Sequence, residues 1–265
     1  MIHWIDELVD GPEYREWAPD RPWNAAQEEH DVVFLHYEVD QPALERLLPA
    51  ELELQLFGGS AWIGIIALRM RRVHWRLRGL PRIIRRFPEV DLVTYVACEG
   101  RRGLFFLGIE SARRLLAPVT RWTSGLPYLY SGLRVIPVGG AITVTAGPRP
   151  SEGATAAVLD LTYQPAVADA PIRPDSPVAV LMDQYSAFVV DWRGRIAELD
   201  EVHHPWCPQP VQVEVRANTL GAAVGVELGA TPTLAHYAAS RRVLTWAPRI
   251  VRPGRPGLAP TSPRR

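Results

Sequence analysis

Asp31-Val-Val-Phe-Leu-His-Tyr-Glu-Val39, running straight into Asp40-Gln-Pro-Ala-Leu-Glu-Arg-Leu-Leu-Pro49, decides the fold class. The first segment is β-branched and aromatic and alternates in character, the mark of a strand with two unlike faces. Its odd positions Val33, Leu35, Tyr37 and Val39 are uniformly apolar and suit packing under another layer. Its even positions, counted back to His30 through Val32, Phe34, His36 and Glu38, mix apolar and polar groups. Asp40 then reads as a helix N-cap with Pro42 in the first turn. Leu44, Leu47 and Leu48 form one apolar stripe, and Pro49 stops the helix.

Outward from that stretch, strands dominate. A Gly58-Gly59 turn opens a strand over 60–70, in which Gly64 marks a bulge or a close backbone approach. Segments 90–97 and 103–111 make a hairpin around Glu99-Gly100-Arg101-Arg102, and 111–122 reads as a helix. Strands at 133–138, 141–146 and 156–163 have meander spacing. Ser176 with Pro177 starts a helix to about 188, followed by strands at 188–191, 195–202 and 211–216, a helix over 218–224 and a strand at 243–246. The expected fold is α+β: a mostly antiparallel, cone- or barrel-like sheet with a few peripheral helices. We expect an arm over 1–22 and one domain over 23–250. The Pro/Arg-rich tail 251–265 should be disordered.

Composition narrows the chemistry. All 29 basic residues are arginine, so no side-chain amine exists. Lysine is the side chain that forms a Schiff base with a carbonyl substrate, and a guanidinium stays protonated and non-nucleophilic. Basic and acidic residues balance at 29 each, which leaves no excess for a nucleic-acid backbone. The start, Met1-Ile2-His3-Trp4-Ile5-Asp6-Glu7, does not read as a secretory signal, and the apolar run 63–68 is too short to span a membrane. Cys98 and Cys207 have no CxxC spacing and fit a reduced, cytoplasmic setting. His203 and His204 are adjacent on a strand and point apart, so they do not chelate one ion; no metal and no cofactor is called for. A G-x-S-x-G elbow is absent. Nine tryptophans predict apolar surface and self-association.

The ordered set Phe34-Leu-His-Tyr, Ala61-Trp-Ile-Gly, Phe87-Pro-Glu-Val-Asp-Leu-Val-Thr-Tyr-Val96, Gly125-Leu-Pro-Tyr128, Val202-His-His-Pro-Trp-Cys-Pro-Gln209 and Leu234-Ala-His-Tyr237 resembles the bacterial family called domain of unknown function 2071. The entry segment 37–54 also resembles acetoacetate decarboxylase-like proteins. The resemblance implies a cone-like β-barrel with an internal pocket. Carried over residue by residue, it places Tyr128 where a decarboxylase has its Schiff-base lysine and Leu129 where a second lysine tunes it. It puts His30 at the pocket arginine and Ile63 at a catalytic glutamate. Amine-type decarboxylation is therefore excluded.

The same alignment sets the expected inward faces: the even positions of the first strand, and Ala61, Ile63, Ile65, Ala67 and Arg69 of the second. Tyr128, Glu89 and His36 are the candidate catalytic groups. Arg69, Glu38, His30, Phe34, Ile63, His203 and Trp206 are candidate substrate contacts. Each has a plainer use: His36 as a hydrogen-bonded core residue, Glu38 and Arg69 as solvated charges, Glu89 as an acceptor of backbone N–H groups, Tyr128 as turn architecture, His203 and Trp206 as rim structure. The function expected is a pocket for a small carbonyl or carboxylate metabolite, worked by acid/base chemistry such as hydration, dehydration, cyclisation or aldol-type steps. The alternative is a ligand- or partner-binding module that kept the barrel without the chemistry.

Overall fold

A computed structural model describes residues 3–76, 83–114, 116–147, 157–166 and 177–252. Two short helices, α1 (His3–Val9) and α2 (Pro12–Trp17), precede β1 (Ala25–Val39), α3 (Gln41–Glu45), β2 (Glu53–Leu54), β3 (Ala61–Trp75), β4 (Ile83–Cys98) and β5 (Arg101–Ser111). Then come α4 (Leu116–Ser124), β6 (Tyr128–Tyr130), β7 (Arg134–Val138), β8 (Ala141–Ala146), β9 (Leu159–Pro165) and α5 (Pro177–Met182). The last elements are β10 (Ser186–Val190), β11 (Ile196–Val202), β12 (Gln209–Asn218), α6 (Leu220–Val224), β13 (Leu234–Thr245) and β14 (Arg249–Arg252). No helix among the described residues is long and apolar enough to cross a membrane.

The strand pairings form a ring. Its order is β13–β1–β3–β4–β5–β10–β11, and it returns to β13 through Glu201↔Thr245 and Val202↔Leu244. Every seam in it is antiparallel except β5–β10. A second sheet, β12–β9–β8–β7, is attached where Gln209 and Pro210 pair with Tyr237 and His236. The odd face of β1 (Val33, Leu35, Tyr37) joins Ile63 and Ile65 of β3 in a core shared with Val144, Leu161 and Tyr163 of the second sheet. The opposite face carries Val32 and Phe34 into the ring with Leu68, Met70 and Trp206.

The predicted cap holds: Asp40 accepts a hydrogen bond from the Ala43 backbone N–H at 2.9 Å. Other expectations shift. Residues 111–114 are not helical, and the helix after 176 ends at Met182 because Ser186 already begins β10. Ser176 lies outside the described residues, as does the tail from 253 onward. The described part of the arm, residues 3–22, folds back: Trp4 and Leu8 are buried against Val202, Leu244 and Trp246.

A bulge in β1 governs what faces inward. His30 pairs with Arg69 and Val33 with Ala67, so β1 spends one more residue than β3 between those rungs. Asp31 takes up the excess at φ 53°. That left-handed conformation is costly for a residue other than glycine, by roughly 1–3 kcal/mol. The side chain offsets the cost by pairing with Arg69 and accepting from Tyr237 Oη at 3.3 Å, while the Asp31 carbonyl accepts from Tyr163 Oη. Because side chains alternate, one inserted residue exchanges the two faces below it.

Candidate functional site

Direct cross-strand partners share a face, so the rungs of the ring can be followed into its interior. One rung runs Arg241–Glu29–Met70–Phe87, another Leu68–Glu89–Ser111, and a third Phe34–Ile66–Asp91–Ile109–Tyr128. All of these side chains line one cavity inside the ring. Its wall is largely apolar and aromatic, with Trp75, Trp206, Trp246 and Phe106 among the lining groups, as small-molecule sites usually are.

The polar groups converge on carboxyls. Glu29, Glu89, Asp91 and Glu201 all line the cavity, and Arg241 is the basic side chain among its described lining residues. Arg241 Nη2 lies 3.7 Å from Glu29 Oε2, and its guanidinium sits over the Trp206 ring at 3.5 Å. Its Nε and Nη1 are buried without a hydrogen-bond partner. Tyr128 donates its phenolic proton to Glu89 Oε1 at 3.3 Å, while Glu89 Oε2 and Asp91 Oδ1 are buried and unpartnered.

Burial sets the protonation states. It pushes the Glu89 carboxyl up to about 8, against the opposing Tyr128 hydrogen bond and with repulsion from Glu29 and Glu201. Asp91 is raised well above the carboxylate range by burial and then by Glu89. Burial and Glu29 push Glu201 up to about 7, with Arg241 opposing. The Tyr128 phenol is raised well above its ordinary value by burial and by Glu89 and Asp91. At neutral pH, Glu89 is therefore mainly a neutral acid. One oxygen is fixed by Tyr128 and the other is buried without a partner.

The structure brings together only part of the expected site. Tyr128, Glu89, Phe34 and Trp206 line the cavity. His30, Arg69 and Ile63 do not, which corrects their expected inward placement. The Asp31 bulge turns His30 out to pair with Glu28 at 3.4 Å and leaves Arg69 bound to Asp31. Ile63 pairs with Tyr37 and lies between the two sheets, so the inward parity of β3 is the even one: Ile66, Leu68, Met70. Glu38 is exposed, accepting from Ser60 Oγ at 3.0 Å, and is also off the cavity.

His36 is fully buried outside the lining, stacked near Phe34 and Tyr95, with both ring nitrogens unpartnered. Burial pushes it down to about 3, so it stays neutral. His203 is buried too, its nitrogens 2.8 and 2.9 Å from the His204 and Gln184 carbonyl oxygens and its ring stacked on Tyr185. It fixes the chain that presents Trp206 rather than lining the cavity itself.

Glu29, Asp91, Glu201 and Arg241 were not among the candidates. Asp91 had a signal, since it stands two residues from Glu89 and shares its face. Glu29 was hidden by the bulge. Arg241 meets the others through the β1–β13 pairing and Glu201 through the β11–β13 closure, and neither leaves a local trace.

Comparison with known proteins fits this architecture. The chain is 32% identical over 231 residues to the uncharacterized protein YqjF of Bacillus subtilis (strain 168), covering 86% of this chain and 93% of that one. Acetoacetate decarboxylase from Legionella pneumophila shares the fold with a TM-score of 0.61 at 14% identity, over 93% of this chain and 94% of that one. The enduracididine biosynthesis enzyme MppR, complexed with the condensation product of pyruvate and imidazole 4-carboxaldehyde, superposes with a TM-score of 0.59 at 16% identity, over 89% and 92% of the two chains. The fold is thus acetoacetate decarboxylase-like. The model of domain of unknown function 2071, an uncharacterized conserved protein, matches residues 26–242, and the chain belongs to that family.

Proposed function

We propose that the ring cavity binds a small carboxylate-bearing carbonyl compound and acts on it by acid/base chemistry without a Schiff base. One observation carries this reading. Arg241 Nε and Nη1 and Glu89 Oε2 all lack partners while their side chains line the same buried cavity. Buried polar groups are ordinarily satisfied, so such orphans mark where a ligand's own groups belong. Arg241, rather than Arg69, receives the carboxylate. Glu89 offers the proton on its unpartnered oxygen to the carbonyl oxygen, and Tyr128 holds the acid in place. A carbonyl so protonated is open to addition of water or an enol, and the reverse eliminations use the same groups. The relatives with this fold include a protein complexed with a pyruvate-derived product, which agrees with a keto-acid-sized ligand.

The test is mass spectrometry of small molecules retained through native purification. The parent should carry a carbonyl compound with a carboxylate, and Arg241→Met should lose it. A retained ligand without a carboxylate, or equal retention by the variant, overturns the reading. Borohydride should leave no reduced adduct on any side chain.

A further inference from the structure

Resting on that cavity being the ligand site, we infer that its ligand also carries a cationic nitrogen, received by Asp91 on the wall opposite Arg241. The walls follow from the strand order. Arg241 belongs to β13 and Asp91 to β4, and β1 and β3 separate them one way round the ring while β11, β10 and β5 separate them the other way. The two side chains therefore stand on opposite walls of the cavity, Asp91 four residues along β4 from Phe87, which shares the Arg241 rung. Asp91 is 6% exposed, lines the cavity, and its Oδ1 has no hydrogen-bond partner.

Charge supply makes the same point. Four carboxyl side chains line the cavity against one guanidinium, which already lies beside Glu29. An anion alone would answer Arg241 and leave Asp91 Oδ1 without a partner. A metal ion does not fill that role, because no three His, Cys, Asp or Glu side chains among the described residues are placed to hold one. An organic cation does: it gives Asp91 Oδ1 the donor it lacks, and the aromatic wall favours a flat, delocalised cation. Burial and the neighbouring Glu89 raise the Asp91 carboxyl well above the ordinary carboxylate range. A cationic ligand reverses that shift, so binding releases a proton. The charged or ionisable side chains that line the cavity with Asp91 are Glu29, Glu89, Glu201, Tyr128 and Arg241.

The experiment compares γ-guanidinobutyrate with γ-ureidobutyrate by calorimetry on the full chain. The two share a carboxylate and nearly the same shape and differ in the charge of the far end. The guanidino compound should bind at least about tenfold tighter, as expected for one buried charge-assisted contact. Its enthalpy should vary with buffer ionisation in the sense of proton release. Asp91→Asn, isosteric with the protonated acid, should fold and erase that preference while keeping the weaker binding common to both compounds. Glu89→Gln should keep the preference. The inference is overturned if the urea binds as tightly, if the preference survives Asp91→Asn, or if neither compound binds at millimolar concentration. A urea that binds as well as the guanidinium leaves the carboxylate-pocket reading intact, whereas a failure of Arg241→Met to weaken either compound counts against that reading instead.

Discussion

Tyr128 and Glu89 meet at 3.3 Å with the phenol as donor, and this one contact divides the roles of the two residues. The phenolic proton is committed to Glu89 Oε1, so the oxygen left without a partner is the other one, Oε2. The sequence alone puts Tyr128 on the carbonyl and leaves the proton transfer to Glu89 or His36. On the proposed reading, Glu89 is the donor and Tyr128 the residue that orients it.

Tyr128→Phe therefore does more than trim the pocket. It strips Glu89 Oε1 of its donor in a buried place, which costs about 1–2 kcal/mol of stability. Urea denaturation measures that loss. Ligand affinity should fall by about twofold to tenfold because the acid loses its orientation. Unchanged stability and unchanged affinity would together show that the contact orients nothing.

The raised carboxyls make stability depend on pH in a definite direction. Glu89, ordinarily near 4.5, titrates at about 8 in the folded chain, so between those values the folded state holds a proton that the unfolded state has released. Stability then declines as pH rises through that window and levels off above it, and Glu201, raised to about 7, adds to the decline. His36 works the other way: held down to about 3, it withdraws stability as pH falls below 6.5. With two carboxyls opposing one histidine, the melting temperature should therefore peak at about pH 4–5. Glu89→Gln should flatten the alkaline side and be the more stable chain at about pH 8, by roughly 1–3 kcal/mol. A melting temperature that climbs steadily from pH 5 to 8 contradicts this account.

An ion cluster fastens the β5–β10–β11 side of the ring. Glu198 of β11, with its side chain 1% exposed, takes Arg101 Nε at 2.6 Å, Arg249 Nη2 at 2.7 Å and Ser186 Oγ at 2.8 Å. Asp200 takes Arg21 at 2.7 Å and Arg101 at 3.0 Å. These contacts join β5, β10, β11, β14 and the N-terminal arm. The arginines are 42% and 51% exposed, so solvent screens part of the attraction. Glu198→Gln should cost about 1–3 kcal/mol, read as a lower denaturation midpoint. High salt should narrow the gap between variant and parent.

Local structure was far more legible than placement. The strand over 141–146 and the capped helix after Asp40 follow from alternation and from the N-cap, both written in neighbouring residues. Most of β13 went unread, because Leu234-Ala-His-Tyr-Ala-Ala-Ser-Arg-Arg has little alternation, yet it carries Arg241. The parity of β3 was misjudged by one position, which exchanges an entire face. Nothing between 61 and 69 corrects that; the correction is Phe34 opposite Ile66 on another strand. Asp31 was equally silent, since a bulge held by Arg69, Tyr163 and Tyr237 depends on partners distant in sequence.

Glycines on β5 separate close approach from mere convenience, and they make the last prediction. A Cβ on Gly103 would come within 2.8 Å of the Ser186 carbonyl carbon, against backbone that cannot swing aside. That contact lies at the parallel β5–β10 seam, where only Leu104 and Phe105 pair with Ala187 and Phe188. Gly103→Ala must push the strands apart there, at a cost of about 2–4 kcal/mol if overpacking at backbone exceeds its usual side-chain value. The disturbance reaches the cavity, because Leu104 and Phe106 line it. Gly108 on the same strand has nothing within 4 Å of a Cβ and no positive φ, so Gly108→Ala should leave stability within about 0.5 kcal/mol of the parent. Denaturation of both variants side by side decides the matter. If Gly103→Ala is as stable as Gly108→Ala, the β5–β10 seam does not hold the ring closed.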